Sequence, residues 1–270
     1  MKATVLTDNT EGLGLKGEWG LSVYIEYKDK RILLDTGATG LFAENARKLG
    51  LSLADVDCAV LSHAHYDHSD GMERFFKEND KAKFYLQKSC AENCYFKKFF
   101  VRKYIGIKKG TLASLSARIS YVSGVIELCD GAYLVPHTTK GLSAVGKREN
   151  MYQKQADGWH PDDFSHEQSL VFDTEKGLVV FNSCSHGGVV NIINEISEAF
   201  PEKRVYALIG GFHLFNKPDD EVRKLAEKIK ATGIEYICTG HCTGNKQYEI
   251  LRSVLKDTAH KLSVGLVMEF

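Results

Sequence analysis

The 270-residue chain predicts a layered α/β fold. Short apolar runs alternate with helical patterns, the runs end in glycine-flanked turns, and histidines stand at several of those ends. At 43% hydrophobic residues the chain can bury one large core in two or more layers. It reads as one domain over residues 1–270. Formal net charge is zero, 35 basic against 35 acidic residues, so bulk charge speaks against a nucleic-acid or anionic-membrane partner. No apolar run reaches the ~18 residues that a membrane helix needs. The first residues, Met1 to Leu6, read as a strand rather than a signal peptide. Seven cysteines, an odd number, then read as reduced thiols of a cytoplasmic protein.

Residues 2–6 and 20–27 read as strands. The loop between them carries Gly12, Gly14, Gly17 and Trp19, and either borders a pocket or is a plain hairpin loop. A strand over 30–34 runs into Asp35-Thr36-Gly37, and a helix follows over 41–49. A buried strand over 57–61 ends in His63-Ala64-His65-Tyr66-Asp67-His68, and a helix begins near Gly71. The end of a strand is where an α/β architecture places ligands. Two imidazoles two residues apart can reach one metal from a turning backbone, and the adjacent Asp67 and His68 then point to a second position. Such nitrogen and oxygen donors suit zinc, manganese or iron.

Residues 83–86 read as a strand and 88–104 as a helix, with Cys90 and Cys94 sharing one face. Tyr95, Phe96, Phe99, Phe100 and Tyr104 are its packing residues. Lys97, Lys98, Arg102, Lys103, Lys108 and Lys109 form a solvated face or receive a phosphate or carboxylate of a substrate. Short strands fill 118–135, and 137–167 is a long polar, irregular region. The segment 85–165 is expected as an insertion that covers the metal face and shapes the substrate pocket. A hairpin over 168–173 and 177–182, a helix over 189–199, a strand over 204–209, a helix over 219–231 and a strand over 234–238 follow. A last helix and a strand over 262–268 close the chain. Three of these strands end in His186, His213 and His241. Ends of strands in one sheet come together, so these residues should converge on the cluster at 63–68.

The run from His63 to His68 resembles the HxHxDH motif of the metallo-β-lactamase superfamily, and Leu34-Asp35-Thr36-Gly37 resembles its first motif. The resemblance implies an αββα sandwich with two metals at one edge, between the sheets. It places His63 and His65 on one metal, and Asp67, His68 and His241 on the other. Asp35 would orient the metal loop by hydrogen bonds rather than bind metal. Two places depart from the pattern. Near the usual third imidazole stands only Ser165-His166-Glu167-Gln168, so His186 is expected to take that role. The usual bridging aspartate is replaced by Cys184, which could bridge or ligate. His213 would face the substrate as a catalytic group, or serve as a further ligand.

The motifs around His186, His213 and His241 also resemble the branch that holds dihydropterin ribofuranosylaminobenzene phosphate synthases and ferredoxin-like members. Three functions are implied. The first is hydrolysis of an ester, lactone or phosphoester by water activated on two zinc ions (or manganese or iron), with Asp67 and His213 in catalysis. The second is transfer of a dihydropterin-methyl group from its diphosphate to an aryl ribose phosphate, with release of pyrophosphate. The third is non-catalytic binding of metal or ligand. The partner is a small molecule, phosphorylated in the transferase case.

Overall fold

The computed structural model describes residues 1–270. Two seven-stranded sheets pack face to face. The first runs in the order Val267–Glu269, Lys2–Thr7, Ser22–Tyr27, Lys30–Leu34, Cys58–Val60, Lys83–Gln87, Ile119–Val122. The second runs Ala259–Lys261, Tyr236–Gly240, Val205–Gly211, Gly177–Phe181, Gln168–Thr174, Ala132–Pro136, Ile126–Cys129. Helices Leu41–Lys48 and Met72–Glu78 cover the outer face of the first sheet. Helices Val189–Ala199, Asp219–Ala231 and Asn245–Leu255 cover that of the second. This is the αββα sandwich that the sequence resemblance implies.

The side-chain alternation explains the layers. Ile32 and Leu34 lie in the core between the sheets, while Leu33 lies under the first helix layer. Val179 and Phe181 face the same central core, and Leu178 and Val180 face the second helix layer. Strands buried on both faces read as continuous apolar runs. The helices are apolar on one stripe only, as with Val222, Ala226 and Ile229. Strands Gly177–Phe181, Val205–Gly211 and Tyr236–Gly240 are neighbours and parallel. Their carboxyl ends therefore share one edge. Strands Lys30–Leu34, Cys58–Val60 and Lys83–Gln87 are likewise parallel in the facing sheet.

Several sequence expectations need correction. Residues 88–104 are not a helix. They supply strands Cys94–Lys98 and Val101–Tyr104 of a third sheet, ordered Gly158–Pro161, Met151–Gln155, Cys94–Lys98, Val101–Tyr104. Aromatic residues favour cross-strand pairing. Tyr95 packs edge-on against Tyr104 at 5.2 Å and Trp159 at 4.8 Å between ring centroids. Cys90 and Cys94 share no helix face, and both sulfurs instead approach His166. The polar region 137–167 contains helix Leu142–Arg148 and the hairpin Met151–Gln155 with Gly158–Pro161. Within 85–165, strands Ile119–Val122, Ile126–Cys129 and Ala132–Pro136 belong to the two main sheets, so that segment is not one continuous inserted body. The closing strand is Val267–Glu269, and Ala259–Lys261 joins the other sheet. No helix is long and apolar enough to cross a membrane.

Gln168 ties the two sheets at the edge where these strand ends meet. Its backbone N–H donates to the Ser62 carbonyl (2.8 Å), and its Nε2 donates to the Leu61 carbonyl (2.8 Å). Its Oε1 accepts from Gln87 Nε2 (2.9 Å). All of this is buried, and a buried polar group left without a partner costs about 1–3 kcal/mol. Gln168→Ala should destabilise the protein by about 2–4 kcal/mol. Denaturant unfolding measures this, and a loss below about 0.5 kcal/mol would contradict the role assigned to this side chain.

Candidate metal centre

Beyond strand Cys58–Val60 the chain bends at His63 and Ala64, His65 is extended (φ −97°, ψ 149°), and Tyr66–Ser69 forms one helical turn with His65 at its N-cap. The change from extended to helical separates His63 and His65 from Asp67 and His68. Neighbouring segments fix this loop. Tyr66 N donates to the Ile105 carbonyl (2.9 Å), Ile107 N to the Ala64 carbonyl (3.2 Å), and Thr36 N to the His68 carbonyl (2.8 Å).

Asp35, fully buried, organises the loop from within. Its Oδ1 accepts from Ser62 N (2.7 Å), and its Oδ2 accepts from Ser62 Oγ (2.7 Å) and His68 Nδ1 (2.8 Å). Because the Ser62 hydroxyl hydrogen goes to Asp35, Ser62 Oγ is left to accept from His63 Nδ1 (2.8 Å). One carboxylate thereby sets both rings with hydrogen on Nδ1 and a lone pair on Nε2.

His63, His65 and His186 offer nitrogens that all lie within 4.8 Å of one another, as do the donor atoms of Asp67, His68 and His241. Nε2 of His63, Nε2 of His65 and both ring nitrogens of His186 are buried without a protein partner. Such atoms are expensive to bury unpaired, and a divalent cation would satisfy them. In the other group His68 Nε2 is 3.1 Å from His241 Nε2, and His241 Nε2 is 3.4 Å from Asp67 Oδ2. Cys184 joins the two, with Sγ 3.3 Å from His68 Nε2 and grouped also with His63. The donor chemistry of both groups fits zinc-type coordination.

Burial, and then repulsion from neighbouring imidazoles, pushes His63 and His186 well below the ordinary histidine value. Burial and then His166 push His65 down to about 3. All three are neutral near pH 7 and keep their lone pairs. Burial alone would raise Asp67, but His68 and His241 outweigh it and hold the carboxylate below its usual range. Burial lowers His241, yet Cys242, Asp67 and Asp8 outweigh that and push it up to about 9. A cation bound there would displace that proton.

The facing sheet is held as firmly. Asp8 Oδ2 accepts from His241 N (2.8 Å), and Asn9 Oδ1 accepts from His241 Nδ1 (3.0 Å). Glu167 accepts from the backbone N–H of His186 and Gly187, both at 3.0 Å. His137 is wedged between Glu167 and Glu195. A Cβ on Gly187 would collide with the His137 ring, so only glycine fits there. Asp35, Ser185, His213 and His241 all adopt left-handed φ of 57°, 52°, 48° and 47°. Each costs on the order of 1–3 kcal/mol and persists because its surroundings over-determine it.

His213 joins neither group. It lies beside His186 (4.6 Å between ring centroids), its Nδ1 has no partner, and its N–H donates to Cys242 Sγ (3.3 Å). His166 lies behind the site. Its Nδ1 accepts from Ala64 N (3.2 Å) and its Nε2 faces Asp162 (3.2 Å) and Cys94 (3.6 Å). Asp8, Asn9, Glu167, His137, Glu195 and Cys242 were not singled out from the sequence. Asp8 and Asn9 do stand at the end of the first strand, the one signal that could have marked them.

A cavity of about 350 Å³ opens over the site, walled by Trp19, Tyr66, Phe96, Met151 and Phe215. The Trp19 loop thus borders the pocket, with its ring 5.4 Å from that of His241. A second cavity of about 430 Å³ adjoins it at His186, His213 and Glu149. None of the basic residues between 97 and 109 lines either cavity. Arg102 instead lies over the Trp159 ring (4.5 Å) and Lys109 over that of Tyr104 (4.5 Å).

Fold and site together define an αββα protein with a histidine-rich centre at one sheet edge. Residues 20–241 match the metallo-β-lactamase superfamily, and the chain belongs to that superfamily. It is 30% identical to a 7,8-dihydropterin-6-methyl-4-(β-D-ribofuranosyl)-aminobenzene-5′-phosphate synthase of Methanocaldococcus jannaschii, over 93% of this chain and 90% of the relative. An uncharacterised protein of the same organism is 28% identical over 90% of each chain. The solved structure of Tm1679, a metal-dependent hydrolase of the β-lactamase superfamily, superposes with a TM-score of 0.85 at 28% identity, covering 100% of this chain and 99% of the other.

Two outcomes follow for the residues around the site. Asp35→Asn puts an amide hydrogen where an acceptor is required, and should weaken metal binding about 10–100-fold. Competition with a chromophoric chelator measures this, and unchanged affinity would contradict the role of Asp35. His137 is the second case. Burial lowers it, but Glu167 and Glu195 outweigh burial and push it from 6.5 up to about 10. Its contribution to stability is therefore full below pH 6.5 and lost as pH rises through about 10. The unfolding midpoint should fall across that window in the wild type and less in His137→Gln, and parallel profiles would contradict the pairing.

Proposed function

We propose that this chain is a metal-dependent enzyme that hydrolyses an ester, lactone or phosphoester. The observation that carries the reading is the set of neutral, unpartnered nitrogens of His63, His65 and His186 beside the Asp67, His68 and His241 group. Zinc best matches mixed nitrogen, oxygen and sulfur donors, with manganese or iron as alternatives. Cations held by His63, His65 and His186 and by Asp67, His68 and His241 would supply Lewis acidity and make water a better nucleophile near neutral pH.

The chain's own residues do the rest. Asp35 and Ser62 hold His63 and His68 with their Nε2 lone pairs turned inward. Asn9 does the same for His241. Asp67 completes the second group and keeps its negative charge. His213, with Nδ1 unpartnered at the junction of the two cavities, faces the leaving group. Trp19, Tyr66, Phe96, Met151 and Phe215 accept a flat apolar substrate body and exclude water. All seven cysteines are free, and a reducing cytoplasmic setting would keep Cys184 and Cys242, with sulfurs 3.3 Å apart, from joining as a disulfide.

A second reading is transfer of a dihydropterin-methyl group from its diphosphate to an aryl ribose phosphate. It is favoured by the 30% identity to the synthase over 93% of this chain. The same two residue groups would then hold the cations that neutralise the diphosphate.

Asp67→Ala should lower turnover more than about 100-fold on whichever ester, lactone or phosphoester of a panel the wild type cleaves. Full activity in that variant, or after chelation, contradicts a metal-dependent reaction. Pyrophosphate release that requires pterin and acceptor together selects the transferase over the hydrolase.

A further inference from the structure

We infer that the cavity of about 430 Å³ beside His186 and His213 is a binding site for the phosphate-monoester arm of the substrate. This deepens the proposed function and rests on it for the identity of the ligand as substrate, but anion binding there is measurable without turnover.

Charge is the first argument. The chain as a whole has zero formal net charge, yet Arg148, Lys217, Lys224 and Lys228 line this cavity against only Glu149 and Glu221. Glu149 is already shared by Lys217 and Arg148. Lys224 has one partner, Asp220 at 3.2 Å, and both side chains are largely exposed, so that pairing is weak. Lys228 makes no ion pair. Lys224 and Lys228 stand four residues apart on helix Asp219–Ala231, on one face.

The opposite wall supplies directed donors. Helix Val189–Ala199 starts at Gly188 with no side-chain cap and no acidic residue in its first turn. Its first N–H groups and the positive end of its dipole are therefore not neutralised by a side chain. Ser185, 3% exposed, lines the same cavity, and its Oγ has no hydrogen-bond partner. Burying a hydroxyl without a partner is unfavourable unless a ligand supplies one. Two ammonium groups, a hydroxyl and an uncapped helix start together match a dianion with three acceptor oxygens better than a carboxylate.

Position is the third argument. Glu149, His186 and His213 line both cavities. A substrate whose apolar body lies over the candidate metal centre can extend its charged arm past the packed His186 and His213 rings into the adjoining basic cavity. The basic residues at 97–109 do not reach it.

The test uses phenylphosphonate, a dianionic phosphate mimic that cannot be hydrolysed, titrated calorimetrically into the zinc-loaded protein, with benzyl alcohol as the uncharged control. Lys224→Ala/Lys228→Ala replaces two solvent-exposed side chains, and a thermal melt checks its fold. We expect phenylphosphonate to bind about 10–100-fold more weakly to the double variant, with binding of benzyl alcohol unchanged. Asp67→Ala should bind phenylphosphonate within a few-fold of wild type. Binding to the double variant within twofold of wild type, loss of binding in Asp67→Ala alone, or no binding to wild type at millimolar concentration would each overturn the assignment. Weakened binding in the lysine variant together with full turnover by Asp67→Ala would instead keep the anion site and reject the metal-dependent reaction.

Discussion

A single buried carboxylate, that of Asp35, reaches both donor groups of the candidate metal centre. It takes His68 directly and His63 through the Ser62 hydroxyl. Removing a carboxylate from water is costly, and here three hydrogen bonds offset that cost. A carboxylate in this place can only accept. It therefore dictates which nitrogen of each ring carries hydrogen, and so which one presents a lone pair to a cation. Without it no buried acceptor would fix which nitrogen of each ring carries hydrogen, and the Nε2 lone pairs would no longer be set toward a cation.

The rest of the fold brings the other donors to that point. Three adjacent parallel strands deliver His186, His213 and His241 to one edge of the second sheet. The first sheet delivers the loop at 63–68 to the facing edge, and Gln168 joins the two edges by hydrogen bonds. Left-handed backbone at Asp35, Ser185, His213 and His241 places strain where these strands end. Strain of this kind survives only when packing around it is firm. The Glu167–His137–Glu195 cluster and the Asp8–Asn9 pair provide that firmness under His186 and His241 respectively.

Much of the main fold was legible because doubly buried strands and amphipathic helices leave local patterns. The strands at 2–6, 30–34 and 177–182 and the helices at 189–199 and 219–231 were of this sort. The histidine cluster was legible because its members are contiguous, and the strand-end histidines because glycine flanks them. The third sheet was not. Cys94–Lys98 pairs with Met151–Gln155, more than fifty residues away, and a spacing of four between Cys90 and Cys94 imitates a helix face. Long-range ladder pairing and the cross-strand aromatic contacts of Tyr95 with Tyr104 and Trp159 favour strand. The supports under the site were equally hidden. Glu167, His137 and Glu195 are far apart in sequence and ordinary in type, and only the fold reveals that they share charge behind His186. The cationic cavity draws on Arg148 and the helix carrying Lys224 and Lys228, not on the more conspicuous basic run at 97–109.

The central claim is that His63, His65 and His186 hold one cation and Asp67, His68 and His241 another. Anomalous diffraction from a zinc-soaked crystal, recorded on both sides of the zinc edge, tests it most directly. Two peaks are expected, each about 2.0–2.3 Å from the donor atoms of one group. No peak among these residues, or a single peak displaced to the Cys94, Asp162 and His166 cluster, would contradict it.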